Sequence, residues 1–267
     1  MHDAATRSVP TEVGGRVEDA EVGSKGYRGV AMEGSIARWY ARTRGSESQR
    51  AGWRRQAAAI AASLPDPADV LEIAPGPGYL SVELARTGRL RVTALEISAT
   101  FVAIAQENAR RAGVAVEIRQ GDASQMPFEP ASFDFLICQA AFKNFSRPMA
   151  AIREMYRVLR PGGRAVIQDM HRGARDAEIA AEVRGMQLGA VRAFMTGRAL
   201  TSLRKRAYSQ EQFLDLARTS PFGGAQVVVR GIEIEVTLAK PGRTAPVGPG
   251  PSPSGADPLP AARTRAA

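Results

Sequence analysis

The residues with the most chemical promise are Glu72-Ile73-Ala74-Pro75-Gly76-Pro77-Gly78, set between an apolar run and a helical pattern. Glycines at 76 and 78 let the backbone take positive φ and pass close to a ligand. A helix starting at Tyr79 offers free N–H groups and the positive end of its dipole. Two more acids recur at matching places. Glu96 closes the next apolar run, 18 residues after Gly78, and Asp122 follows the third within Gly121-Asp122-Ala123. Alone, each acid reads as a solvated loop residue and the Gly-x-Gly as an ordinary turn. Three acids closing successive strands of one parallel sheet point instead at one ligand lying across the strand ends. There Glu96 can accept from ribose hydroxyls and Asp122 from an adenine amino group.

The loop narrows the ligand further. A dinucleotide fingerprint needs a third glycine where this chain has Ser81, and no Gly-Lys-Ser/Thr follows to make a P-loop. Glu72, ahead of the glycines, would repel a pyrophosphate and attract an ammonium group.

The elements that must position these acids follow from periodicity. Apolar spacing predicts strands over 70–73, 91–96, 114–118, 133–138 and 164–169. Helices are predicted over 79–87 and from the Ser98 cap to Arg111, with Gly113 beyond. Pro148 opens another, whose Ile152, Met155, Tyr156 and Leu159 share a face and which Pro161-Gly162-Gly163 closes. Alternation of this kind means a parallel sheet with helices on both faces. Ahead of it, Ile36, Trp39 and Tyr40 share a face of a short helix that Gly45 and Ser46 break. Trp53, Ala57, Ile60, Ala61 and Leu64 give a second helix. After the fifth strand come an Arg-bearing helical stretch over 176–207, a Ser209-capped helix, and a hairpin of strands 225–230 and 232–239 turning at Gly231. Residues 1–31 are read as a disordered arm, 32–240 as a single domain and 241–267, with seven of the 17 prolines, as an unfolded tail.

Glu-x-Ala-Pro-Gly-Pro-Gly, Glu96, Gly121-Asp122-Ala123, Phe133-Asp134-Phe135 and Val158-Leu159-Arg160-Pro161-Gly162-Gly163 together resemble class I S-adenosylmethionine-dependent methyltransferases. The similarity is closest to the small-molecule branch with the ubiquinone/menaquinone-type enzymes. It is strong over 65–170 and looser over 32–64 and 205–240. It implies a Rossmann-like, doubly wound, seven-stranded sheet, mostly parallel, with an antiparallel C-terminal hairpin. The N-terminal helices and the insert after strand five would form a lid. It also implies S-adenosylmethionine as cofactor, bound by Glu72, Ala74, Gly76, Gly78, Glu96, Ile97, Asp122, Ala123 and Gln139. Ala74 departs from the family, many of whose members have the loop's first glycine there.

The implied reaction is in-line attack on the sulfonium methyl, which needs alignment and a dry pocket more than acid–base groups. That suits a chain with two histidines, His2 and His171, and one cysteine, Cys138, too few for a metal centre or a disulfide framework. Missing motifs exclude exocyclic-amine base methylation, cytosine-C5 methylation and arsenic methylation. Tyr40, Phe142, Lys143 and His171 are the substrate-pocket candidates. Phe142 and Phe145 read equally as core, and Trp39 and Tyr40 either close the cofactor site or anchor their helix. His171 is a solvated loop residue or the one credible general base, and no catalytic residue is assigned.

Charge bears on the acceptor. The net +9 of this 267-residue chain is absent from 65–170, which is neutral, and concentrates in 36–64 at +5 and 171–223 at +4. A basic lid of this kind favours an anionic small-molecule acceptor, while nucleic acid is disfavoured because no RNA-binding module is appended. An RNA-modifying methyltransferase and a non-catalytic cofactor-binding protein are the alternatives. No apolar run reaches a membrane span and no signal peptide is visible, so a cytoplasmic protein is expected.

Overall fold

The computed structural model describes residues 32–45 and 47–242. The expected N-terminal arm, Ser46 and the tail beyond Gly242 lie outside the described residues. One seven-stranded sheet runs in the order β3-β2-β1-β4-β5-β7-β6. Its strands are β1 (Ala68–Ile73), β2 (Leu90–Glu96), β3 (Glu117–Gln120), β4 (Phe133–Gln139), β5 (Leu159–Met170), β6 (Gln226–Arg230) and β7 (Glu233–Ala239). The first five are parallel, and β7 pairs antiparallel with both β5 and β6. This is the sheet read from the sequence. Val70, Leu71 and Ile73 of the central β1 are buried, as both faces of a parallel sheet covered by helices require.

The strand order reverses between β1 and β4, and the C-terminal ends of β1, β2 and β4 face one crevice. Helices α3 (Tyr79–Arg86) and α4 (Ala99–Ala112) follow β1 and β2. With α2 (Glu47–Ala62) they enclose one core layer, in which Ala57, Ile60, Ala61 and Leu64 meet Val70, Leu80 and Leu84. The opposite layer packs α5 (Pro148–Val158) and α8 (Gln210–Thr219) on the sheet through Ile152, Met155, Phe213 and Leu216. Capping fixes the helix ends. Ser98 accepts from the Phe101 N–H at the start of α4, and Gly113 ends it in the left-handed region. Ser209 and Gln212 form a capping box on α8.

Four local expectations are corrected. On α1 (Gly34–Arg44) the buried face is Ala37 and Ala41, whereas Ile36 is 45% and Trp39 60% exposed. The third strand spans 117–120 instead of 114–118, because its extent is set by pairing with Thr93–Glu96 and not by a mostly exposed edge sequence. Helix α5 stops at Val158 and β5 starts at Leu159, ahead of the Pro161 turn. Proline pushes the residue before it out of helical conformation, so Arg160 is already extended. Finally, the stretch after β5 is two helices, α6 (Asp176–Gly185) and α7 (Ala190–Arg204), divided near Gln187 and Gly189.

Candidate functional site

The loop from Glu72 to Gly78 leaves β1 and turns into α3. Three of its residues hold positive φ: Ala74 at 55°, Gly76 at 55° and Gly78 at 73°. Gly78 has a second constraint, since a Cβ there would lie 2.8 Å from the Ala105 Cβ of α4. Ala74 adopts the left-handed conformation without glycine's freedom, a cost of about 1–2 kcal/mol. Its N–H is held by Leu95 O at 2.8 Å, which fixes the conformation.

Glu96 is buried at the end of β2. One carboxylate oxygen accepts the Gly76 N–H and the other the Ser98 N–H, both at 2.9 Å. It thus ties the glycine loop to the N-terminus of α4. Glu72 is buried beside it and accepts from the Ser81 hydroxyl and backbone N–H. Burial, with the Glu96 charge adding to it, pushes the Glu72 carboxyl up to about 7. Burial also raises Glu96, against the backbone N–H groups that favour its charge. Neither acid has an ion-pair partner among the described residues.

Asp122 sits in the turn after β3. Its Oδ1 accepts the Ser124 N–H at 2.8 Å and hydroxyl at 2.7 Å, and its Oδ2 accepts from Arg147 at 3.2 Å. The neighbouring Ala123 packs on the core, and the Ile97 carbonyl accepts from Gln120. Gln139, at the end of β4, donates to the Gln168 side chain at 2.6 Å, which Gln56 of α2 also meets at 2.8 Å. The cofactor set expected from the sequence therefore gathers at the crevice of β1, β2 and β4, with Asp122 at its rim.

Above the crevice α1 is tethered at both ends. Glu33 accepts the Ala99 N–H at 3.0 Å and the Thr100 N–H at 3.1 Å, and the Ser98 hydroxyl donates to Met32 O. At the other end the Tyr79 hydroxyl donates to Ala41 O at 2.8 Å. Tyr40 stands edge-on to Phe101 with ring centres 5.9 Å apart, the anchoring arrangement of its two readings. Trp39 does neither job, since it faces outward.

The substrate-pocket candidates need revision. Phe142, in a 3-10 turn after β4, is wholly buried among Phe145, Tyr208 and Phe213 and lines no open space. Lys143 is buried too, its Nζ 2.6 Å from Asp169 Oδ1 and 2.5 Å from Ala140 O. His171 is not a solvated loop residue: it is buried, and its Nε2 meets Gly231 O at 2.9 Å. Apolar residues and strand ends were visible in the sequence, but whether they turn inward was not.

Sequence reasoning missed Ser81, Arg147, Ser124, Gln56, Gln168 and Asn144. Ser81 alone left a signal, as a hydroxyl in the first turn of the helix that follows Glu72. Asn144 is buried in the short turn after β4, and its Oδ1 has no hydrogen-bond partner. A buried orphan of this kind costs about 1–3 kcal/mol. Asn144→Leu is expected to raise stability by about 1 kcal/mol, read from the urea midpoint.

Residues 71–167 match the family model described as a methyltransferase domain. The chain is 35% identical over 117 residues to a demethylmenaquinone methyltransferase of Deinococcus radiodurans, covering 43% of this chain and 48% of that protein. It is 34% identical over 104 residues to a ubiquinone biosynthesis O-methyltransferase of Pseudomonas aeruginosa, covering 39% and 44%. The chain thus spans about half the length of the curated relatives it matches. Among solved structures, a protein of Methanococcus maripaludis assigned as an S-adenosyl-L-methionine-dependent methyltransferase superposes with a TM-score of 0.63. That match has 20% identity and covers 78% of this chain and 94% of the other, a likeness of fold.

Proposed function

We propose, from the premise that this chain belongs to the class I S-adenosylmethionine-dependent methyltransferases, that it methylates a small aromatic acceptor of the quinone type. The observation that carries the reading is the buried pair Glu72 and Glu96 at the glycine loop, two carboxylates with no ion-pair partner among the described residues. They suit a ligand with a cationic amine and a ribose.

The residues present fit the cofactor. Positive φ at Gly76 and Gly78 keeps the loop clear of side chains, and a Cβ at 78 would have no room. Glu72 would face the ammonium end, Glu96 would accept from the ribose hydroxyls, and Asp122 with the Ala123 N–H would hold the adenine edge. When bound, S-adenosylmethionine supplies the electrophilic methyl group and a neutral thioether leaving group. The protein's part is alignment and exclusion of water. Helix α1, fastened by Glu33 and Tyr79, covers the loop side of the crevice. Gln139, Gln56 and Gln168 form a polar row at the β4 end that holds the far wall.

Asn144 is the candidate for holding the acceptor, because its Oδ1 can accept from a phenolic O–H and gains its missing partner by doing so. His171 is tied to Gly231 and is not proposed as base. The basic charge of 36–64 and 171–223 supports an acceptor that carries an anionic group apart from the hydroxyl held by Asn144. The two curated relatives differ in printed activity, one named for demethylmenaquinone and the other an O-methyltransferase. The attacking atom is therefore not inherited from them.

Incubation with methyl-labelled S-adenosylmethionine and a reduced short-chain demethylmenaquinone or catechol tests the reading. Label should enter the organic phase, and Asn144→Leu should raise the acceptor KM while leaving cofactor affinity unchanged. Label that enters total RNA instead would favour the RNA-modifying alternative.

A further inference from the structure

We infer that cofactor binding displaces a proton from Glu72, and that Ser81 is the positioning residue that sets this coupling. The inference rests on the methyl-donor reading above. Glu72 on β1 and Glu96 on β2 are each 4% exposed. Two neighbouring carboxylates in a dry site do not both ionise readily without a cation.

Glu96 keeps its charge more easily because the backbone N–H groups of Gly76, Ile97 and Ser98 all point at it. Glu72 has only Ser81, from both its N–H and its hydroxyl, and its carboxyl is the one pushed up to about 7. The other groups around it do not compensate. From β4 comes Cys138, whose thiol burial pushes up and keeps neutral. Beyond it Lys143 and Asp169 pair with each other. On α3, Glu83 is engaged by Arg86 at 3.1 Å.

Near neutral pH the free site therefore retains a proton on Glu72. An incoming α-ammonium supplies the missing positive charge. The O–H bond of the carboxyl breaks, the proton passes to solvent, and the carboxylate keeps the electron pair opposite the cation. The Ser81 hydroxyl favours the ionised form, so it determines how high the transition lies.

The sign follows from a carboxyl raised in the free state. Affinity is full above about 7 and falls as pH drops through it, by at most about tenfold per pH unit for one proton. Below pH 7 the ligand's own α-ammonium, ordinarily about 7.7–8.0, stays charged and does not interfere.

Calorimetric titration of the full chain with S-adenosylmethionine at pH 6.5, in buffers of low and high ionisation enthalpy, measures the proton directly. About 0.8 proton should be released per site. Glu72→Gln should release none and bind with a pH-independent affinity. Ser81→Ala should move the pH transition upward by about one unit, and Ser81→Thr should return it. Binding without proton release, or release that survives Glu72→Gln, overturns the coupling alone. Absence of binding heat in the wild type at pH 7.5 overturns the methyl-donor reading and the coupling with it.

Discussion

Glu96→Ala should weaken S-adenosylmethionine binding about a hundredfold, with the chain still folded. Two contributions add. The carboxylate that would accept the ribose hydroxyls is gone, and the Gly76 and Ser98 N–H groups lose their shared acceptor. Hydrogen bonds to a charged group are worth about 1.5–3 kcal/mol each, so a loss near 3 kcal/mol is the modest end. Folding should tolerate the change, because the deleted charge was buried without a cation and its removal relieves desolvation. Asp122→Ala should cost less, about tenfold, since that side chain lies at the rim and already serves Ser124 and Arg147. Calorimetry on both variants, with circular dichroism as the folding control, checks the pair. Wild-type affinity in Glu96→Ala would place the ligand elsewhere than at the end of β2.

Lys143→Met should destabilise the chain by about 3–5 kcal/mol, the cost of leaving one member of a buried ion pair uncompensated. The pair is almost wholly enclosed, with side chains 6% and 1% exposed and Nζ 2.6 Å from Asp169 Oδ1. Asp169 also accepts the backbone N–H groups of Lys143 at 3.0 Å and Met170 at 2.8 Å. The pair thus pins the turn after β4, where Ala140 takes a φ of 53°. Adding Asp169→Asn removes the stranded charge and keeps an acceptor for one of those two N–H groups, so the double variant should regain part of the loss. Urea unfolding of the single and double variants decides this. A single variant as stable as the wild type would contradict the ion pair's structural role and return Lys143 to the list of acceptor ligands.

Lys143 also shows where sequence reading stops. Strands and acids were legible because each rests on a local rule. Strand ends were marked by Glu72, Glu96 and Asp122, helix starts by Ser98, Pro148 and Ser209, and the parallel sheet by the alternation itself. What side chains do across elements was not legible. Lys143 and Asp169 are 26 residues apart in the chain, and nothing near either predicts their pairing. The same holds for Gln56 and Gln168, 112 residues apart. Phe142 was read two ways for this reason, and its neighbours Tyr208 and Phe213 settle it as core. On α1 the outward Ile36 and Trp39 misled the periodicity, because the face that the helix buries is made of Ala37 and Ala41. The acid preceding the glycine loop was visible in sequence, whereas the Ser81 contact that tunes it required the turn of α3.

Titration of the wild-type chain with S-adenosylmethionine at pH 7.5, followed by displacement with S-adenosylhomocysteine, tests the central claim most directly. One site per chain with saturable heat, abolished by the competing product, is the predicted result. No heat and no shift in melting temperature at millimolar ligand would contradict it.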